Sequence, residues 1–504
     1  MHNFHSSNPI GIDKLWIMAA SPVSEKRSGL GYWMEQVLEQ CDKAYPEMAA
    51  DPVHDLRTAL RRCRSMADGI RVFDPDPAWK KMRRAGKQLF SSLGDLRDTH
   101  VMQEWVEKLA PEGDATGRIL TAHLSDQEQR LKQTAAAVLT QFDRKQWKAW
   151  ASKLPDRTAR VPLDSPVFAH LALEKWNEAR ALHRRALRNR TNIAFHELRI
   201  GLKRFRYIVE NFLPALHDSW GKDLKRLQDV LGEIHDLDVL WQMAVRIHAF
   251  ADVEARSHWR ARIAQERHER LQSYRATMMG KDALWSVWRA ALPRTEELRR
   301  IGLERLKIWA SFLDPDFTHA RHVTRLALEL YDGLGKDRIV HGHQPEHGRF
   351  ILQVAALTHE VGRSQANRGH HKGSARMLRK LDPPLGWSTG DMLMASLVAR
   401  YHRGALPKPT QKRFRALSGT RQQLVQFLGG ILRLACACDW EHDRKIHRVT
   451  VESTDSTLAV RATGYVEFTA LAERLAAARH LLELSYGRAI LILSGAERVG
   501  AGAA

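Results

Sequence analysis

Histidine, arginine and lysine recur at intervals of three and four residues in two segments of the sequence. The first run is His54, Arg57, Arg61 and Arg64, and the second is His196, Arg199, Lys203 and Arg206. At about 100° per residue, this spacing places each run within one quarter-turn of a helix. Arginine grips phosphate oxygens with two parallel hydrogen bonds, and lysine acts as a point charge. Each run therefore predicts a cationic stripe suited to a linear polymer of phosphates.

Apolar residues adjoin both stripes, so each helix is expected to bury one face and present a cationic face beside it. The expected buried residues are Val53, Leu56, Leu60 and Cys63 in the first helix and Phe195, Leu198, Leu202 and Phe205 in the second. Further cations flank the stripes or lie on the helices that follow, namely Arg62, Arg84, Lys87, Arg97, Arg204, Lys222, Lys225 and His235. We assign all of them to the same binding surface.

The alternative for any charged helix is a solvated face with no ligand. Here the stripes are expected to lack the acidic partners four residues away that a surface helix usually supplies. The stripes also occur twice in the sequence. Each adjoins an apolar row that normally packs against another helix, and like charges brought together there would repel each other. Polyanion binding is the preferred interpretation. His54 and His196 are either capping or packing residues, or imidazolium members of the stripes that a neighbouring phosphate keeps charged.

Two sequence motifs recur in the same order about 140 residues apart. VHDLRTALRRCR at 53–64 matches FHELRIGLKRFR at 195–206, and LGDLRDTHV at 93–101 matches LGEIHDLDV at 231–239. Because two matches keep the same register, the sequence predicts a duplicated structural unit.

The 504 residues carry a net charge of +21, which favours an anionic partner. Four cysteines cannot build a disulfide framework and suit a reducing, cytoplasmic location. From the sequence we expect neither a signal peptide nor a membrane-spanning segment. The length predicts at least two domains.

The hydrophobic pattern predicts a mainly α protein. Residues 1–28 are expected to form a flexible tail, and residues 29–300 a helical domain with halves at about 29–160 and 161–300. Residues 301–504 are expected to be mostly helical, with a hairpin at 450–468 and a strand-like segment at 488–493.

Residues 30–300 resemble the CHAD domain, a helical family with conserved histidines. The resemblance is carried by His54, His196, the basic stripes, and the elements Leu93-Gly94 with Asp98 and Leu231-Gly232 with Asp236. It implies two duplicated antiparallel four-helix bundles that bind inorganic polyphosphate in a central basic channel. The alternating Glu-x-Glu-x-Lys signature of the catalytic domain that often accompanies CHAD domains does not occur in the sequence.

Residues 310–495 resemble the HD-type domain at the C-terminus of Ppx/GppA exopolyphosphatases. The shared order is His319, His359-Glu360, HHKGSARML at 370–378, YHRG at 401–404 and ILRLACACDW at 431–440. In metal-dependent HD enzymes the ligands are His, His-Asp and a distant Asp. Here Glu360 replaces the first Asp and Cys436 stands where the distant Asp is expected. The resemblance implies that chemistry resides in actin-like domains, which this sequence lacks.

Two interpretations of this second domain remain open. In one, His319, His359 and Glu360, with His402 as a further candidate, hold a divalent metal for a phosphohydrolase. In the preferred one, the cationic surface is extended by His370, His371, Lys372, Arg400, His402 and Arg403. His359 and Glu360 then form a structural hydrogen-bonded pair, and the run from Cys436 to Asp439 is buried helix rather than a metal site.

The function expected from the sequence is capture or positioning of inorganic polyphosphate, in the cytoplasm or at polyphosphate granules, with no cofactor required. No catalytic residue is assigned. The alternative is a metal-dependent phosphohydrolase acting on polyphosphate or nucleotides. Nucleic-acid binding ranks last, because the stripes lack interleaved aromatic residues for base stacking.

Overall fold

A computed structural model describes residues 29–45, 47–334, 345–453 and 457–495. The fold is mainly α-helical with one small three-stranded sheet, as the sequence predicts. The chain divides into two compact units. One contains the described residues up to Asp68 together with Pro77–Pro162 and Lys225–Tyr274, and the other contains Gly69–Asp76, Leu163–Leu224 and the described residues from Arg275 onward. The expected tail, residues 1–28, lies outside the described residues.

The sequence repeat corresponds to a repeat of helices. The first copy comprises α1 (Leu30–Ala44), α2 (Ala50–Ile70), α3 (Pro77–Leu109), α4 (Ala115–Thr140), α5 (Arg144–Ala151) and α6 (Leu154–Ala159). The second comprises α7 (Pro166–Asn189), α8 (Asn192–Phe212), α9 (Pro214–Arg246), α10 (Val253–Met278) and α11 (Leu284–Ala290). Helices α2 and α8 both have 21 residues, α3 and α9 both have 33, and α4 and α10 both have 26.

The first unit contains a core built from both copies. Its apolar side chains come from the C-terminal parts of α3 and α9 and from α4 and α10, and they include Met102, Trp105, Val106, Leu120, Leu124, Leu237, Leu240, Met243, Trp259 and Ile263. Asp114 caps α4 by accepting from Gly117 N at 2.6 Å, and the same carboxylate accepts from Trp259 Nε1 at 3.0 Å. One side chain therefore fixes the start of α4 and its packing against α10.

The second unit pairs α7 with α8 and continues into the C-terminal helices. The later helices are α12 (Thr295–Leu313), α13 (Phe317–Leu334), α14 (Pro345–Thr358), α15 (His370–Leu378), α16 (Thr389–Tyr401), α17 (Lys412–Arg415), α18 (Gly419–Cys438), α19 (Ala470–Ala478) and α20 (His480–Tyr486), with a 3₁₀ turn at Val361–Ser364. In this unit Phe168 and Phe212 stack at 4.3 Å. The hydroxyl of Thr191 accepts from Ala194 N at 3.2 Å and so caps α8 just before the second stripe.

The C-terminal core lies among α13, α14, α16 and α18. Helix α18 is apolar on most of its circumference, and its buried residues include Leu424, Leu428, Ile431 and Ala435. A helix that is apolar nearly all round is expected at the centre of a fold. Its last turn, which carries Cys436, therefore reaches the site from the interior.

The sheet consists of β1 (Arg448–Ser453), β2 (Thr457–Thr463) and β3 (Ala489–Ser494). Strands β1 and β2 are antiparallel, whereas β2 and β3 are parallel. Leu458, Val460 and Ala462 of β2 are buried. Alternate side chains of a strand lie on the same face, so one face of β2 packs against the core. The predicted hairpin and the C-terminal strand are both present. No described helix is long and apolar enough to cross a bilayer.

Candidate functional site

The first stripe lies on α2, as its spacing predicts. Val53, Leu56, Leu60 and Cys63 are all buried, which fixes the rotation of the helix. The cationic side chains therefore lie away from the buried apolar face. On that side of α2, His54 is exposed, and Arg57, Arg61 and Arg64 are half-buried. Burial of the apolar face therefore presents four cationic side chains along one side of the helix.

Two of these arginines pack against Phe90 of α3. Arg57 Nη1 donates to the backbone oxygen of Phe90 at 3.1 Å. The guanidinium carbons of Arg57 and Arg64 lie 4.8 and 4.5 Å from the centre of the Phe90 ring. These contacts hold both guanidinium groups in place before any ligand arrives, which lowers the entropy cost of binding.

The charges of the first stripe act on one another. Burial lowers the pKa of His54, and the nearby positive charges of Arg97, Arg61 and Arg57 lower it further. Burial also lowers the pKa of Arg57, although Asp98 opposes the shift. After burial, the charges of these arginines are the further cause of the lowered pKa of His54, so they give its surroundings a positive potential.

Several predicted stripe residues have no acidic partner. Among the residues that the structure describes, no carboxylate lies within 4.0 Å of the side-chain nitrogens of Arg61, Arg84, Lys87, Arg199, Arg204, Lys222 and Lys225. Arg61 instead donates to the hydroxyl of Thr58 at 3.2 Å. Arg84, Lys87, Lys222 and Lys225 are exposed, so an anion from solvent can reach them.

Other predicted members do have partners. Arg206 lies 3.5 Å from Glu210, four residues along α8, so the expectation that the stripes lack such acidic partners is wrong at this position. Arg97 pairs with Glu104 at 3.0 Å. The guanidinium of Arg62 lies over the ring of Trp33 at 5.2 Å.

The second stripe lies on α8 in the second unit. Phe195, Leu198, Leu202 and Phe205 are buried, as predicted, and His196, Arg199 and Lys203 are half-buried. Burial lowers the pKa of His196, and the charge of Arg199 lowers it further. The Arg199 Nε atom is buried and has no hydrogen-bond partner in the described chain. His235, in the first unit, is half-buried on α9.

A separate cluster of histidines lies in the second unit where several helices end. Helix α13 carries His319, the segment after α14 carries His359 and Glu360, α15 begins at His370, and His402 follows α16. The relative exposure of these five residues is 5% or less. Cys436 is half-buried in the last turn of α18.

The histidines are oriented by acceptors at Nδ1. His359 Nδ1 donates to Ala356 O at 2.7 Å, and His402 Nδ1 donates to Ala399 O at 2.6 Å. His319 Nδ1 lies 2.7 Å from a carboxylate oxygen of Asp439. A carbonyl accepts only, so the proton of neutral His359 is on Nδ1 and the lone pair is on Nε2. Carboxylate and carbonyl partners at Nδ1 are typical of metal-binding histidines.

Glu360 is paired with residues other than His359. Its Oε1 lies 2.9 Å from His370 Nε2, and its Oε2 lies 2.9 Å from Arg363 Nη1. Burial opposes the charge of Glu360, but the hydrogen bond with His370 and the surrounding histidines hold its pKa well below the usual range. The expectation of a hydrogen-bonded His359–Glu360 pair is therefore wrong, because these neighbours in sequence point to different partners.

Within the part of the chain that the structure describes, two sets of three side chains could hold a metal ion. They are His319, His359 and Cys436, and His359, Glu360 and His402, with the ligand atoms of each set within 4.8 Å of one another. Of the predicted ligands, His319 and Glu360 thus fall into different sets that share His359. Sequence reasoning missed Asp439, which orients His319 and is visible in the sequence as the last residue of the CACD run.

A pocket of about 170 Å³ opens beside this cluster. Its lining consists of His319, Glu360, Arg363, Arg403, Cys436, Trp440 and His442. The guanidinium of Arg403 lies over the ring of Trp440 at 4.2 Å, and that of Arg474 lies over the same ring at 4.1 Å. The pocket thus places candidate metal ligands beside Arg363 and Arg403.

The residues expected to extend a cationic surface are divided by burial. His370 and His402 are buried, so the expectation that they add to an exposed surface is wrong for these two. Lys372 and Arg403 are exposed, and Arg400 and His371 are half-buried. Burial, with the charge of Arg400, lowers the pKa of His371 to about 4.

Comparisons with known proteins agree with the two resemblances read from the sequence. Residues 34–245 match the family model of the CHAD domain, and residues 306–475 match that of the Ppx/GppA phosphatase, domain III. The crystal structure of the CHAD domain from the plant Ricinus communis is 19% identical, covers 52% of this chain and 90% of its own, and superposes with a TM-score of 0.37. No curated protein matches the chain. The chain therefore combines a CHAD domain with a following domain of the Ppx/GppA domain III type.

Proposed function

We propose that this protein captures inorganic polyphosphate on the cationic stripes of α2 and α8. The observation that carries the proposal is the recurrence, in both copies of the repeat, of cations without acidic partners among the described residues. An isolated cation on a protein surface is well solvated and needs no ligand. A row of them held close together repels itself, and phosphates bound along the row remove that repulsion.

The dimensions favour an extended anion. His54 and Arg64 are ten residues apart on one helix, which is about 15 Å at the usual rise. A single phosphate cannot contact both ends of such a row. Arg57 and Arg64, held against Phe90, are prepared to donate to several phosphate oxygens at once.

The same contacts argue against a nucleic-acid surface. The ring of Phe90 packs against the first stripe, and the guanidinium groups of Arg57 and Arg64 lie over it. A base cannot stack on a ring that is already covered, whereas stacking on aromatic side chains supplies much of the affinity for single strands. A polymer that offers phosphates and no bases fits the stripe better.

The test compares two variants: one replaces stripe cations that have no acidic partner, and the other replaces cations that have one. The test variant carries Arg61→Glu, Arg84→Glu, Arg199→Glu and Lys222→Glu. The matched control carries Lys43→Glu, Arg130→Glu, Lys175→Glu and Lys307→Glu, which change the net charge equally but remove cations that already have a carboxylate three or four residues away. We expect the test variant to lose about 100-fold or more in affinity for long-chain polyphosphate and the control only a few-fold.

Titration of salt and competition with DNA complete this experiment. Affinity for polyphosphate is expected to fall steeply with salt concentration, and less steeply in the test variant. Equal losses in the test and control variants would show attraction by net charge alone and would overturn the proposal. Tighter binding of single-stranded or duplex DNA than of polyphosphate would overturn the choice of ligand.

A second candidate function is a metal-dependent phosphohydrolase in the C-terminal domain. The observation that favours it is the pocket where candidate metal ligands and the arginines Arg363 and Arg403 line the same cavity. A metal there would polarise a phosphoryl oxygen or activate a water, while the arginines would bind the phosphate. The test is release of phosphate from polyphosphate and from nucleotides with Mg²⁺, Mn²⁺ or Zn²⁺. Loss of that release in His359→Ala would support this candidate, and no release with any of these ions would reject it.

A further inference from the structure

We propose that His319, His359 and Cys436 form a binding site for a zinc-class divalent cation, with two imidazole Nε2 atoms and one thiolate as ligands. This site is the metal centre that the second candidate function would require, so the inference deepens that candidate. Metal binding can nevertheless be measured without any substrate. The inference can therefore be tested independently of phosphate release and of polyphosphate binding.

The two imidazoles are already oriented as metal ligands. Asp439 holds Nδ1 of His319 at 2.7 Å, and Ala356 O holds Nδ1 of His359 at 2.7 Å. In both rings the nitrogen left to bind an ion is Nε2. A carboxylate behind a histidine fixes the ring and increases its basicity, which strengthens the bond to a metal.

His359 Nε2 supplies the second, independent observation. The side chain is completely buried, and this nitrogen has no hydrogen-bond partner among the described residues. Leaving a buried acceptor unsatisfied costs about 1–3 kcal/mol, and such atoms in native proteins usually mark a missing ion, water or functional role. His319, His359 and Cys436 each offer one ligand atom within 4.8 Å of the other two, so an ion that bound there through His359 Nε2 would satisfy this nitrogen.

The thiol decides the chemical class of the ion. Mg²⁺ and Mn²⁺ prefer oxygen ligands, whereas thiolate with imidazole selects zinc and other thiophilic metals. A tetrahedral zinc site has ligand atoms about 3.4–3.6 Å apart, as follows from bonds of about 2.0–2.1 Å to nitrogen and 2.3 Å to sulfur. Because the three ligand atoms lie within 4.8 Å of one another, they would have to approach one another by no more than about 1.4 Å around the ion.

The alternative set with Glu360 and His402 is less suited to an ion. Glu360 Oε1 lies 2.9 Å from His370 Nε2, and Oε2 lies 2.9 Å from Arg363 Nη1 as a charge contact without a hydrogen bond. An ion bound by Glu360 would compete with His370 and Arg363 for its carboxylate, whereas no hydrogen bond or ion pair among the described residues involves the Cys436 thiol. The set with Cys436 therefore binds a metal at lower cost.

The fourth position of the proposed site faces the pocket. His319 and Cys436 both line the cavity of about 170 Å³, and Arg363 and Arg403 line it as well. Three protein ligands and one open position are typical of zinc sites that bind a water or an anion. With the two arginines beside it, an oxyanion of the phosphate class is the expected fourth ligand.

The first experiment measures metal content and affinity. The purified full-length protein is stripped with a chelator, reloaded with Zn²⁺, Mn²⁺ or Mg²⁺, dialysed and analysed by mass spectrometry. We expect one Zn²⁺ per chain and retention of neither Mn²⁺ nor Mg²⁺. His359→Ala and Cys436→Ser are expected to lower Zn²⁺ affinity at least 100-fold, while Cys438→Ser, which removes a buried cysteine outside both ligand sets, retains the ion.

The second experiment detects the sulfur ligand directly. The wild-type protein loaded with Co²⁺ is expected to show a thiolate-to-cobalt absorption band in the near ultraviolet, which Cys438→Ser retains and Cys436→Ser loses. Circular dichroism of each variant establishes that it is folded. If Cys436→Ser does not fold, the wild-type spectrum still decides the question, because a folded wild-type protein without this band would overturn the proposal.

A third variant tests the metal preference. Cys436→Asp replaces the soft ligand by a carboxylate and is expected to shift retention from Zn²⁺ towards Mn²⁺. Stoichiometric Mn²⁺ binding by the wild-type protein, or Zn²⁺ binding that Cys436→Ser leaves unchanged, would overturn the assignment. Zinc binding without release of phosphate would support the site and reject the hydrolase, so the two failures are distinguishable.

Discussion

The guanidinium of Arg57 occupies the space that a side chain at position 94 would need. A Cβ atom built on Gly94 would lie 2.7 Å from Arg57 Nη1, the same nitrogen that donates to Phe90 O at 3.1 Å. The corresponding glycine of the second copy, Gly232, has nothing within 4 Å of such an atom. The two Leu-Gly motifs therefore match in sequence, but the first uses its glycine to let an arginine of the stripe approach the helix backbone.

Alanine at these two positions should have different effects. Alanine is more favourable than glycine in a helix interior by about 0.8–1 kcal/mol, so Gly232→Ala should raise the free energy of unfolding by about that amount. Gly94→Ala should gain less, because the end of the flexible Arg57 side chain must shift away from the added Cβ atom and weaken its charged hydrogen bond to Phe90 O, which is worth about 1.5–3 kcal/mol when intact. Unfolding in urea measures both variants, and equal gains would show that the approach of Arg57 carries no energetic weight.

The stripes could be predicted because helical periodicity relates spacing to one face. Burial of Leu56 and Leu60 at 0% exposure fixes the rotation of α2, and the same spacing then places Arg57 and Arg61 together. The ion pair of Arg206 with Glu210 is equally predictable from their spacing of four residues on one helix. The sequence therefore predicts which residues share a face or pair with each other on a single helix.

The histidine cluster was predicted as a set of residues but not as a set of contacts. Glu360 follows His359 in the chain, yet it pairs with His370 and Arg363 because the helix ends at Thr358 and the chain turns. The carboxylate of Asp439 reaches His319 from 120 positions away. Contacts at such separations depend on how helices pack, which residue types and spacing do not encode.

Binding of polyphosphate should take up protons at His54. Burial and the charges of Arg97, Arg61 and Arg57 hold the pKa of His54 below its usual value, so the free protein carries a neutral imidazole at pH 7. Bound phosphates offset the arginine charges and raise this pKa, because they favour the imidazolium form. Affinity is therefore expected to rise as pH falls from about 7.5 to 6.

Calorimetry in two buffers of different ionisation enthalpy measures the protons taken up by His54. His54→Gln should bind fewer protons than the wild-type protein and show a flatter pH dependence. The matched comparison is His258→Gln, which removes an exposed histidine outside both stripes. The same proton uptake in His54→Gln and in the wild-type protein would contradict the prediction.

Gly362 should be intolerant of a side chain. A Cβ atom there would lie 2.2 Å from His370 O and 2.5 Å from Ser374 N, so the 3₁₀ turn at Val361–Ser364 contacts α15 through backbone atoms that cannot move independently. Gly362→Ala should lower the free energy of unfolding by about 1–3 kcal/mol, as overpacking usually does.

Gly362→Ala should push the 3₁₀ turn away from α15. This movement should also separate Glu360, which precedes the turn, from His370, which begins α15. Gly419→Ala at the start of α18 is the control, since nothing lies within 4 Å of a Cβ atom there. Denaturant unfolding measures both variants, and a Gly362→Ala protein as stable as the control would contradict the close contact seen here.

His183 should make the second unit less stable in mild acid. This residue is 3% exposed on α7 beside Trp285, and burial together with Arg180 and Arg184 lowers its pKa to about 4. The unfolded chain protonates this histidine near pH 6.5, whereas the folded chain does not. The contribution of neutral His183 to the free energy of unfolding is therefore fully present above pH 6.5 and is lost as pH falls towards 4. The loss attributable to this group reaches about 3 kcal/mol.

Comparison with His183→Leu isolates the contribution of His183 to acid sensitivity. Leucine has no proton to bind, so the variant should lose less free energy of unfolding than the wild-type protein between pH 7 and pH 4.5. The control His217→Leu removes a half-buried histidine of α9 and shows how far any replacement of histidine by leucine changes the free energy of unfolding. Urea unfolding at each pH gives the difference, and parallel profiles for wild-type and His183→Leu would show that the buried imidazole is protonated as easily in the folded chain as in the unfolded one.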